Sequence, residues 1–477
     1  MGSPSQNFAQ ALQPLCERIP FDLALWPGPI ALVGGSVRDA LLGRERAPID
    51  LDFVTPGPVI DRARALSRHL KAGFALLDAE NEIVRLVLAG GLTLDFARQQ
   101  GEDLRADLAR RDYTMNALAW DLRTGELVDP CGGLADLEAG RLRAISEANL
   151  THDPLRLLRA HRLQAQLGLT IDSQTQGWLT VHAPLLAHVS AERVREELCA
   201  MLASPPGADA LEAAYGDGLF AFWLPELAAM EPIGPSDYHH LPLVAHTFEV
   251  VRQVDGAIAD FGQFLTSDLQ RQVSGGHSVA TLVKLAALLH DIAKPATQQR
   301  DALTGSLSFP AHETLGAQMS RTVLQRLKCS REEERWVTAL VQHHLRPGHL
   351  ASHLPPSRRA IYRLCRDLGE MLPALLVLAL ADRRSTRGPL VRAADFERAE
   401  ALTHLLLEHY YTPADPLAHP PVLLDGRDLM RALALPPGPI VGRLLAAIQE
   451  AQATGEVADR EQALALAQKL ALAERPQ

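Results

Sequence analysis

The chain begins with an alternation of short β-rich runs and helical stretches, and this alternation most constrains its fold. The β-rich runs occupy residues 30–33, 51–54, 83–88 and 92–96. After the first run, Gly34 and Gly35 favour a tight turn, because glycine adopts positive φ angles without steric cost, and a helical stretch follows. The pattern predicts a small α+β domain whose first two strands are joined through a glycine turn and a helix.

The second predicted strand carries two acids at alternate positions. Asp50 and Asp52 leave the same face of a strand, since successive side chains point to opposite faces. DxD is also common in turns and on solvated strand faces. Here, however, the upstream glycine turn and Arg38 offer a place for a triphosphate, and two carboxylates can hold the Mg²⁺ of a two-metal site. The combination predicts polymerase-type chemistry. Asp95, in the fourth β-rich run, is either a third acid or an ordinary strand-end aspartate.

Composition limits the class of protein. The 477 residues exceed the usual size of one domain, and the net charge of -10 argues against a general polyanion binder, so contact with nucleic acid requires a local basic groove. The five cysteines are odd in number and lack CxxC spacing, which argues against a disulfide framework and favours a cytoplasmic location. No secretory signal pattern is present, and the longest apolar run, residues 372–381, is too short for a membrane span. We expect no membrane partner.

The remainder of the chain has a helical pattern. From about residue 150 onward, apolar residues recur at helical spacing with almost no strand signal. Segments rich in Pro, Gly or Ser interrupt this pattern and mark loops or boundaries. We therefore predict four domains: a head (1–145), a helical neck (146–235), a histidine-rich helical domain (236–390) and a helical tail (391–477).

Several segments of the head resemble one known family. The segments are GGSVRD at 34–39, DLD at 50–52, RRDYTMNAL at 110–118 and DPCGGLADLEAGRLRAI at 129–145. They are similar to motifs of the class II tRNA nucleotidyltransferases and bacterial poly(A) polymerases. The resemblance implies a polymerase-β-like head that transfers nucleotides from CTP and ATP to the 3′ end of tRNA, with Mg²⁺ at Asp50 and Asp52. It implies these nucleotide-binding residues in the head: Gly34, Gly35, Arg38, Arg111, Asp112 and Asn116.

The predicted neck begins with a stripe of charged residues. Four residues recur at every third position: Asp153, Arg156, Arg159 and Arg162. On a helix they form one polar stripe, which is either a solvated, salt-bridged face or a reader of bases. Cytosine and adenine each present an amino donor beside a ring-nitrogen acceptor, which an aspartate and an arginine complement. The segment resembles the family's base-selecting motif, which implies that Asp153 and Arg156 select C and A. With Arg141 and Arg143, the arginines also predict a path for the primer's phosphates.

A second set of polar residues follows the neck. It consists of His246, His290, Asp291, His312, His343 and Asp382. Isolated histidines in helical domains are usually structural, but imidazoles and carboxylates in this order suit a divalent transition metal that activates water against a phosphoester. The pattern resembles the HD phosphohydrolase superfamily. The resemblance implies a metal-dependent phosphatase or phosphodiesterase, and leaves the metal's identity open.

The nucleotides added depend on a connection in the head. Between Asp95 and Arg110 this chain has 14 residues, where full CCA-adding members of the family carry a longer flexible segment that helps to switch from CTP to ATP. The short connection resembles the CC-adding subgroup. The alternatives are a full CCA-adding enzyme, a poly(A) polymerase or, in another class, an HD phosphohydrolase with an RNA-binding head. A purely structural RNA-binding protein would require all the acidic motifs to be incidental. The oligomeric state and the role of residues 391–477 stay open.

Overall fold

The computed structural model describes residues 4–44, 50–303 and 305–473. The outer ends of the predicted head and tail, and residues 45–49 within the head, lie outside the described residues. The chain divides into two compact units, one of residues 1–189 with 216–219 and one of residues 190–215 with 220–477. The predicted neck (146–235) contains residues of both units, and the division into four domains stays a prediction.

The first unit contains a mixed β-sheet, in which seven strands lie within the described part of the chain. They are β1 (Ala31–Val33), β2 (Asp50–Thr55), β3 (Gly73–Asp78), β4 (Ile83–Val87), β5 (Thr93–Arg98), β6 (Ala119–Asp121) and β7 (Glu126–Val128). Their order is β3-β4-β5-β2-β1-β6-β7, and β2 and β5 are parallel whereas the other neighbours are antiparallel. The four predicted β-rich runs correspond to β1, β2, β4 and β5.

Helices and a second short sheet complete the first unit. The helices are α1 (Pro4–Glu17), α2 (Gly35–Leu41), α3 (Val59–Leu70), α4 (Leu104–Ala109), α5 (Gly133–Glu138), α6 (Glu147–His152), α7 (Leu155–Leu167) and α8 (Ser173–His182). A parallel pair, β8 (Arg141–Leu142) and β9 (Thr170–Ile171), follows the main sheet.

Side-chain alternation in β2 separates the apolar core from the polar face of the sheet. Leu51 and Phe53 are fully buried, and Phe53 stacks on Phe96 of β5 with ring centroids 4.8 Å apart. Trp26 stacks on the same ring at 4.4 Å. Burial of each such side chain contributes roughly 1.5–3 kcal/mol. Because the period of a strand is two, the same packing directs Asp52 to the opposite face.

The second unit is helical, as predicted. Its helices are α9 (Ala191–Leu202), α10 (Gly207–Gly216), α11 (Pro225–Met230), α12 (Leu243–Asp260), α13 (Gly262–Gln270), α14 (Val279–Leu289), α15 (Lys294–Thr297), α16 (His312–Arg326), α17 (Arg331–His343), α18 (Leu345–Ala351), α19 (Arg358–Leu368), α20 (Leu372–Ser385), α21 (Ala393–Tyr411), α22 (Gly426–Leu433), α23 (Pro439–Thr454) and α24 (Arg460–Ala473). A hairpin of β10 (Gln299–Arg300) and β11 (Leu307–Ser308) is an exception that the sequence analysis missed. The apolar run at 372–381 is the buried part of α20. No helix among the described residues is both long and apolar enough to cross a membrane.

A buried ion pair at the start of α17 makes the stability of the second unit depend on pH. His277 Nδ1 lies 2.5 Å from Glu333 Oε1, and the Glu333 side chain is only 1% exposed. This bond raises the pKa of His277 above its ordinary value of 6.5, against the effect of burial. Burial would raise the pKa of Glu333, but bonds from His277 and Ser330 lower it below 4.5. The stabilisation that His277 gives to the folded state is present below pH 6.5 and is lost as pH rises through its raised pKa. The stabilisation that Glu333 gives is present above pH 4.5 and is lost as pH falls through its lowered pKa.

We expect His277→Gln to lower the free energy of unfolding by about 1–3 kcal/mol at pH 6, and by less at pH 9. Urea unfolding at both pH values measures the difference. The exposed pair His404 and Glu408 provides the matched control, since His404→Gln should change stability little at either pH. An effect of His277→Gln that is equal at pH 6 and pH 9 would contradict the expectation.

Candidate active site and candidate metal centre

Three carboxylates lie together on the polar face of the sheet in the first unit. The parallel register of β2 and β5 places Asp52 opposite Asp95 and Asp50 opposite Thr93, whose hydroxyl donates to Asp50. Arg85 of β4 donates two hydrogen bonds to Asp95, at 2.8 and 2.7 Å. Asp95 is therefore adjacent to the predicted acid pair, and its charge is balanced by an arginine.

Electrostatics at these acids favour a bound cation. Burial raises the pKa of Asp52 to about 6, the neighbouring Asp95 and Asp50 add to the rise, and Arg111 opposes it. The raised pKa reflects first the burial of the carboxylate and then the negative charges close to it, and a bound divalent cation would offset both. Mg²⁺ often binds through only one or two carboxylates and completes its shell with water and substrate phosphates. Asp50 and Asp52 fit that donor set.

The glycine turn brings the backbone close to these acids. Gly34 has a φ of +74° and joins β1 to α2. A Cβ at this position would lie 3.1 Å from Arg111 Nη1 and 3.9 Å from Asp52 Oδ2. A side chain here would therefore be strained and would occupy the space between Arg111 and Asp52.

A cavity of about 370 Å³ lies on one side of Asp52. Besides Asp52 and Leu163, it is lined by Gly34, Gly35, Arg38, Arg111, Asp112, Asn116, Arg156, Arg159 and Arg162, which are the predicted nucleotide-binding residues except Asp153. Arg38 is buried, and its Nη1 donates to Asn116 Oδ1 at 2.5 Å. Arg159 Nη1 lies 2.9 Å from Asp112 Oδ2. Arg159 and other bonds outweigh burial and lower the pKa of Asp112, so this carboxylate stays ionised.

The predicted stripe is not on one helix. Asp153 lies in the break between α6 and α7, because Pro154 disfavours helical backbone at the residue before it and begins a new helix. Asp153 Oδ2 is 3.9 Å from Arg156 Nε, so the predicted base-reading pair is adjacent. Arg156 Nη1 also donates to the carbonyls of Arg110 and Asn149, both at 3.0 Å. These bonds fix the guanidinium at the edge of the cavity.

Arg141 and Arg143 are placed differently from the other arginines. Both pair with the fully buried Asp136, at 2.7 and 2.8 Å. Neither lines the cavity next to Asp52. Their positions therefore add no support to the predicted path for the primer's phosphates.

A second cavity, also of about 370 Å³, has all three acids in its wall. It shares Gly35 and Asp52 with the first cavity, and its wall also includes Asp50, Asp95, Arg85, Arg18, Arg44 and residues of α1. Sequence reasoning missed the roles of Arg18, Arg44 and Arg85 in this wall, since none stands in a recognisable motif. The two cavities thus meet at Asp52 and each contains arginines, so two anionic reactants can meet at this acid.

The second unit contains a buried cluster of histidines and aspartates on or directly after α12, α14, α16, α17 and α20. Its members are His246, His290, Asp291, His312, His344 and Asp382. Asp291 is central, with its carboxylate oxygens 3.1 Å from His290 Nε2 and 3.3 Å from His312 Nε2. Asp382 Oδ1 is 3.2 Å from His246 Nε2. Potential ligand atoms of three or more residues come within 4.8 Å of one another only in this cluster, among the described residues. One of these groups also includes the adjacent His239.

Backbone bonds orient three of the imidazoles. Each Nδ1 lies near the carbonyl three residues earlier: His290 with Ala287 at 2.8 Å, His312 with Phe309 at 2.8 Å and His344 with Val341 at 2.7 Å. A carbonyl only accepts hydrogen bonds, so each Nδ1 carries the proton and each Nε2 offers a lone pair to the cluster. The buried Nε2 atoms of His246, His290 and His312 lack hydrogen-bond partners among the described residues, whereas Asp291 Oδ2 has Lys294 Nζ beside it. This donor set fits a divalent transition metal.

The protonation states also suit metal binding. Burial, followed by the neighbouring His290, lowers the pKa of His344 to about 4, so this imidazole is neutral at pH 7. Burial would raise the pKa of Asp291, but His290 and Lys294 lower it well below its ordinary value. Lys294 Nζ lies 2.6 Å from Asp291 Oδ2. His344 therefore offers a neutral nitrogen and Asp291 an ionised carboxylate. Burial would lower the pKa of His290, but the neighbouring Asp291 raises it above 6.5, so a metal ion at this imidazole must displace a proton.

The structure corrects one member of the predicted ligand set. His343 is the last residue of α17 and His344 follows it. Consecutive residues of a helix point about 100° apart, so only one of the two can face the cluster. His344 Nε2 is 4.0 Å from Asp291 Oδ1, whereas His343 belongs to none of the ligand groups among the described residues. We therefore replace His343 by His344.

Family models match most of the chain. They are described as Poly A polymerase head domain (30–143), probable RNA and SrmB-binding site of polymerase A (168–231), HD domain (246–387) and tRNA nucleotidyltransferase domain 2 putative (392–467). A CC-adding tRNA nucleotidyltransferase of Synechocystis sp. is 38% identical over 96% of this chain and 98% of its own length. The chain belongs to the tRNA nucleotidyltransferase family. The resemblance found in the sequence is thereby confirmed.

Other relatives within the tRNA nucleotidyltransferase family differ in what their names say they add. An A-adding tRNA nucleotidyltransferase of Deinococcus radiodurans is 37% identical over 94% of this chain and 96% of its own length. A CC-adding tRNA nucleotidyltransferase of Thermus thermophilus is 36% identical over 91% and 92%. Identity of this degree does not separate the two activities.

Solved structures of CCA-adding enzymes share the fold of this chain. A complex with ATP has a TM-score of 0.62 at 20% identity and covers 99% of this chain and 94% of that one. The Thermotoga maritima enzyme in complex with tRNA has a TM-score of 0.59 at 18% identity, over 98% and 95%. At these identities the likeness concerns the fold alone, and it confirms an α+β head followed by helical domains.

Proposed function

We propose that this chain transfers CMP from CTP to the 3′ end of tRNA and stops after the two C residues of the CCA end. The observation that carries the transferase activity is the pair of arginine-lined cavities that meet at Asp52. The names of its relatives, which are CC-adding and A-adding tRNA nucleotidyltransferases, support tRNA as the acceptor. CTP is the donor, and ATP is the donor in the alternative CCA-adding reaction.

The nucleotide occupies the cavity that contains Arg38 and Arg111, and the acceptor end occupies the cavity that contains Arg18 and Arg85. Guanidiniums of both walls donate to phosphate oxygens, and Arg85 has its Nη1 left for this, because its Nε and Nη2 hydrogen-bond Asp95. The 3′ hydroxyl gives its proton to solvent and its oxygen forms a bond to the α-phosphorus, while the bond from that phosphorus to the bridging oxygen breaks and pyrophosphate leaves. When bound at Asp50 and Asp52, Mg²⁺ supplies charge stabilisation to the attacking and leaving oxygens.

Base selection lies with Asp153 and Arg156. Their carboxylate and guanidinium complement the amino donor and ring-nitrogen acceptor of cytosine, and they reject guanine and uracil, which present the reverse pattern. The bonds from Arg156 to the carbonyls of Arg110 and Asn149 hold the guanidinium in one orientation, which a reader of hydrogen-bonding pattern requires. Arg159 and Arg162 complete the wall of the nucleotide cavity.

The CC specificity rests on the connection between Asp95 and Arg110. Its residues form the end of β5, a short turn and α4. Asp103 Oδ1 accepts from Ala106 N at 2.8 Å, and Asp107 Oδ1 accepts from Gln100 N at 2.8 Å. A connection bonded in this way has no long flexible segment with which to change the pocket from C to A recognition. The A-adding relative keeps the alternative open to experiment.

The test is incorporation of each labelled nucleotide into tRNA without the CCA end and into tRNA ending in CC. We expect two CMP additions to the first tRNA and no AMP addition to the second. Efficient AMP addition to tRNA ending in CC would contradict CC-only specificity and favour the full CCA-adding reaction. Long adenylate products on generic RNA would favour a poly(A) polymerase.

A second function is favoured by the metal centre. The buried Nε2 atoms of His246, His290 and His312, which lack hydrogen-bond partners among the described residues, and the ionised Asp291 carboxylate beside them fit a divalent transition metal. We assign to this centre the metal-dependent hydrolysis of a phosphoester, because a bound metal supplies charge stabilisation and a nucleophile from water at neutral pH. His246, His290, Asp291, His312, His344 and Asp382 hold the metal in this proposal. Both activities belong to a protein of the cytoplasm, in keeping with its free cysteines.

A further inference from the structure

A cavity of about 270 Å³ opens beside the metal centre. Its wall includes two members of the cluster, His344 and Asp382, and residues of α18, α20 and α21. The space next to His239 and His246 measures about 20 Å³, room for about one water molecule. This volume lies just below the roughly 300–1,000 Å³ of typical ligand pockets, so the larger cavity has room for a small substrate and not for a folded RNA.

One arginine in this cavity makes no direct ion pair among the described residues, although its charge reaches Asp395 in the same wall and helps to lower the pKa of that carboxyl. Arg383 follows Asp382 on α20, lines the cavity and is partly buried. Within the part of the chain that the structure describes, no carboxylate lies at ion-pair distance from Arg383. The other arginine of the wall, Arg398, pairs with Asp395, which also lines the cavity. Arg383 is therefore the cation available to an anion next to the metal centre.

The neighbouring Arg384 shows the contrast. Its Nη1 lies 2.7 Å from Asp260 Oδ2 and its Nη2 2.7 Å from Glu400 Oε1. It does not line the cavity. Two consecutive arginines on α20 thus have different environments: Arg384 is neutralised by acids of the protein, whereas Arg383 faces the cavity.

We infer that Arg383 binds a phosphoryl oxygen of a small phosphomonoester held in this cavity, with the phosphorus at the metal centre. This inference rests on the phosphohydrolase function proposed above, and it names the substrate class and a residue that recognises it. A guanidinium presents N–H donors in a fixed fork that matches phosphate oxygens. The reaction is hydrolysis: the ester P–O bond breaks, water supplies the oxygen of the new P–O bond, and its proton ends on the leaving alcohol.

The test uses the full chain loaded with Mn²⁺, with p-nitrophenyl phosphate as substrate and inorganic phosphate as ligand. We expect Arg383→Ala to raise KM for the ester, and the Kd for phosphate in titration calorimetry, by at least about tenfold. The metal content should stay unchanged, because Arg383 offers no metal ligand. Arg383→Lys should recover part of the binding, and the matched control Arg384→Ala should behave as the wild type does.

The outcomes separate the two proposals. A Kd for phosphate in Arg383→Ala within twofold of the wild-type value would overturn the role of Arg383, whatever the hydrolytic rate. Hydrolysis of a tRNA 3′-phosphate without hydrolysis of p-nitrophenyl phosphate would overturn the small-substrate assignment. If the wild type binds metal and phosphate but hydrolyses neither ester, the phosphohydrolase function fails, while the phosphate titration still decides whether Arg383 binds phosphate.

Discussion

Asp52→Asn is expected to reduce CMP incorporation into tRNA by at least about 10³-fold. Asp52 lies where the two cavities meet, and in the proposed mechanism its carboxylate would hold a Mg²⁺ ion that supplies charge stabilisation during nucleotidyl transfer. A loss of about 4 kcal/mol of transition-state stabilisation corresponds to this factor. Incorporation of labelled CMP under saturating CTP and tRNA measures the effect, and Asp50→Asn should show a similar loss.

Stability measurements distinguish this catalytic role from a structural one. The pKa of Asp52 is raised, so its ionised form is disfavoured in the folded chain. The folded state binds the proton more tightly than the unfolded state, and stability therefore falls as pH rises from the ordinary value toward about 6. In the presence of a chelator at pH 8, Asp52→Asn should unfold at the same temperature as the wild type or a higher one.

The matched control is Asp61→Asn, at an exposed position of α3 away from both cavities. It should retain wild-type incorporation. Substantial CMP incorporation by both Asp52→Asn and Asp50→Asn would contradict the nucleotidyltransferase proposal and favour an RNA-binding head. A fall in melting temperature that accompanied the loss of activity in Asp52→Asn would indicate a structural role for this carboxylate.

The sequence predicts the strands of the head better than it predicts their pairing. β2 and β5 have alternating or β-branched apolar residues that indicate strands, but their parallel contact joins segments about 40 residues apart, which periodicity does not reveal. The position of Asp95 beside Asp52 follows from that contact. Two of the strands missed in the sequence, β6 and β7, have only three residues each, too few to show an alternating pattern.

Local signals could have improved the prediction at two positions. Pro154 indicates that Asp153 ends one helix, since the residue before a proline is disfavoured in helical backbone. The histidine pair at 343 and 344 contains one residue that faces the cluster, but the choice depends on where α17 ends, and helix ends are the least certain part of such predictions. The pairing of Arg141 and Arg143 with Asp136 had no such signal, because charge alone does not identify a partner.

His344→Ala is expected to remove most of the divalent metal that purifies with the wild type, whereas His343→Ala retains it. His344 Nδ1 is fixed by the Val341 carbonyl and its Nε2 faces Asp291, so the ring is oriented as a ligand. Loss of a residue that hydrogen-bonds a metal ligand typically lowers metal affinity by about 10–100-fold, and we expect loss of a ligand itself to lower it further. Metal analysis by mass spectrometry after dialysis against a weak chelator measures the difference between these adjacent positions.

The double variant His290→Ala, Asp291→Ala removes the centre of the cluster and should lose both the metal and any phosphoester hydrolysis. It also leaves Lys294 without its partner at 2.6 Å, so some loss of stability is expected whether or not metal binds. A chelator distinguishes loss of the metal from loss of the Lys294 partner, because a bound metal stabilises the folded state. It should lower the melting temperature of the wild type and of His343→Ala. It should not lower that of the double variant. Unchanged metal content in the double variant would refute the metal centre. A chelator effect on His344→Ala equal to that on the wild type would exclude His344 as a ligand.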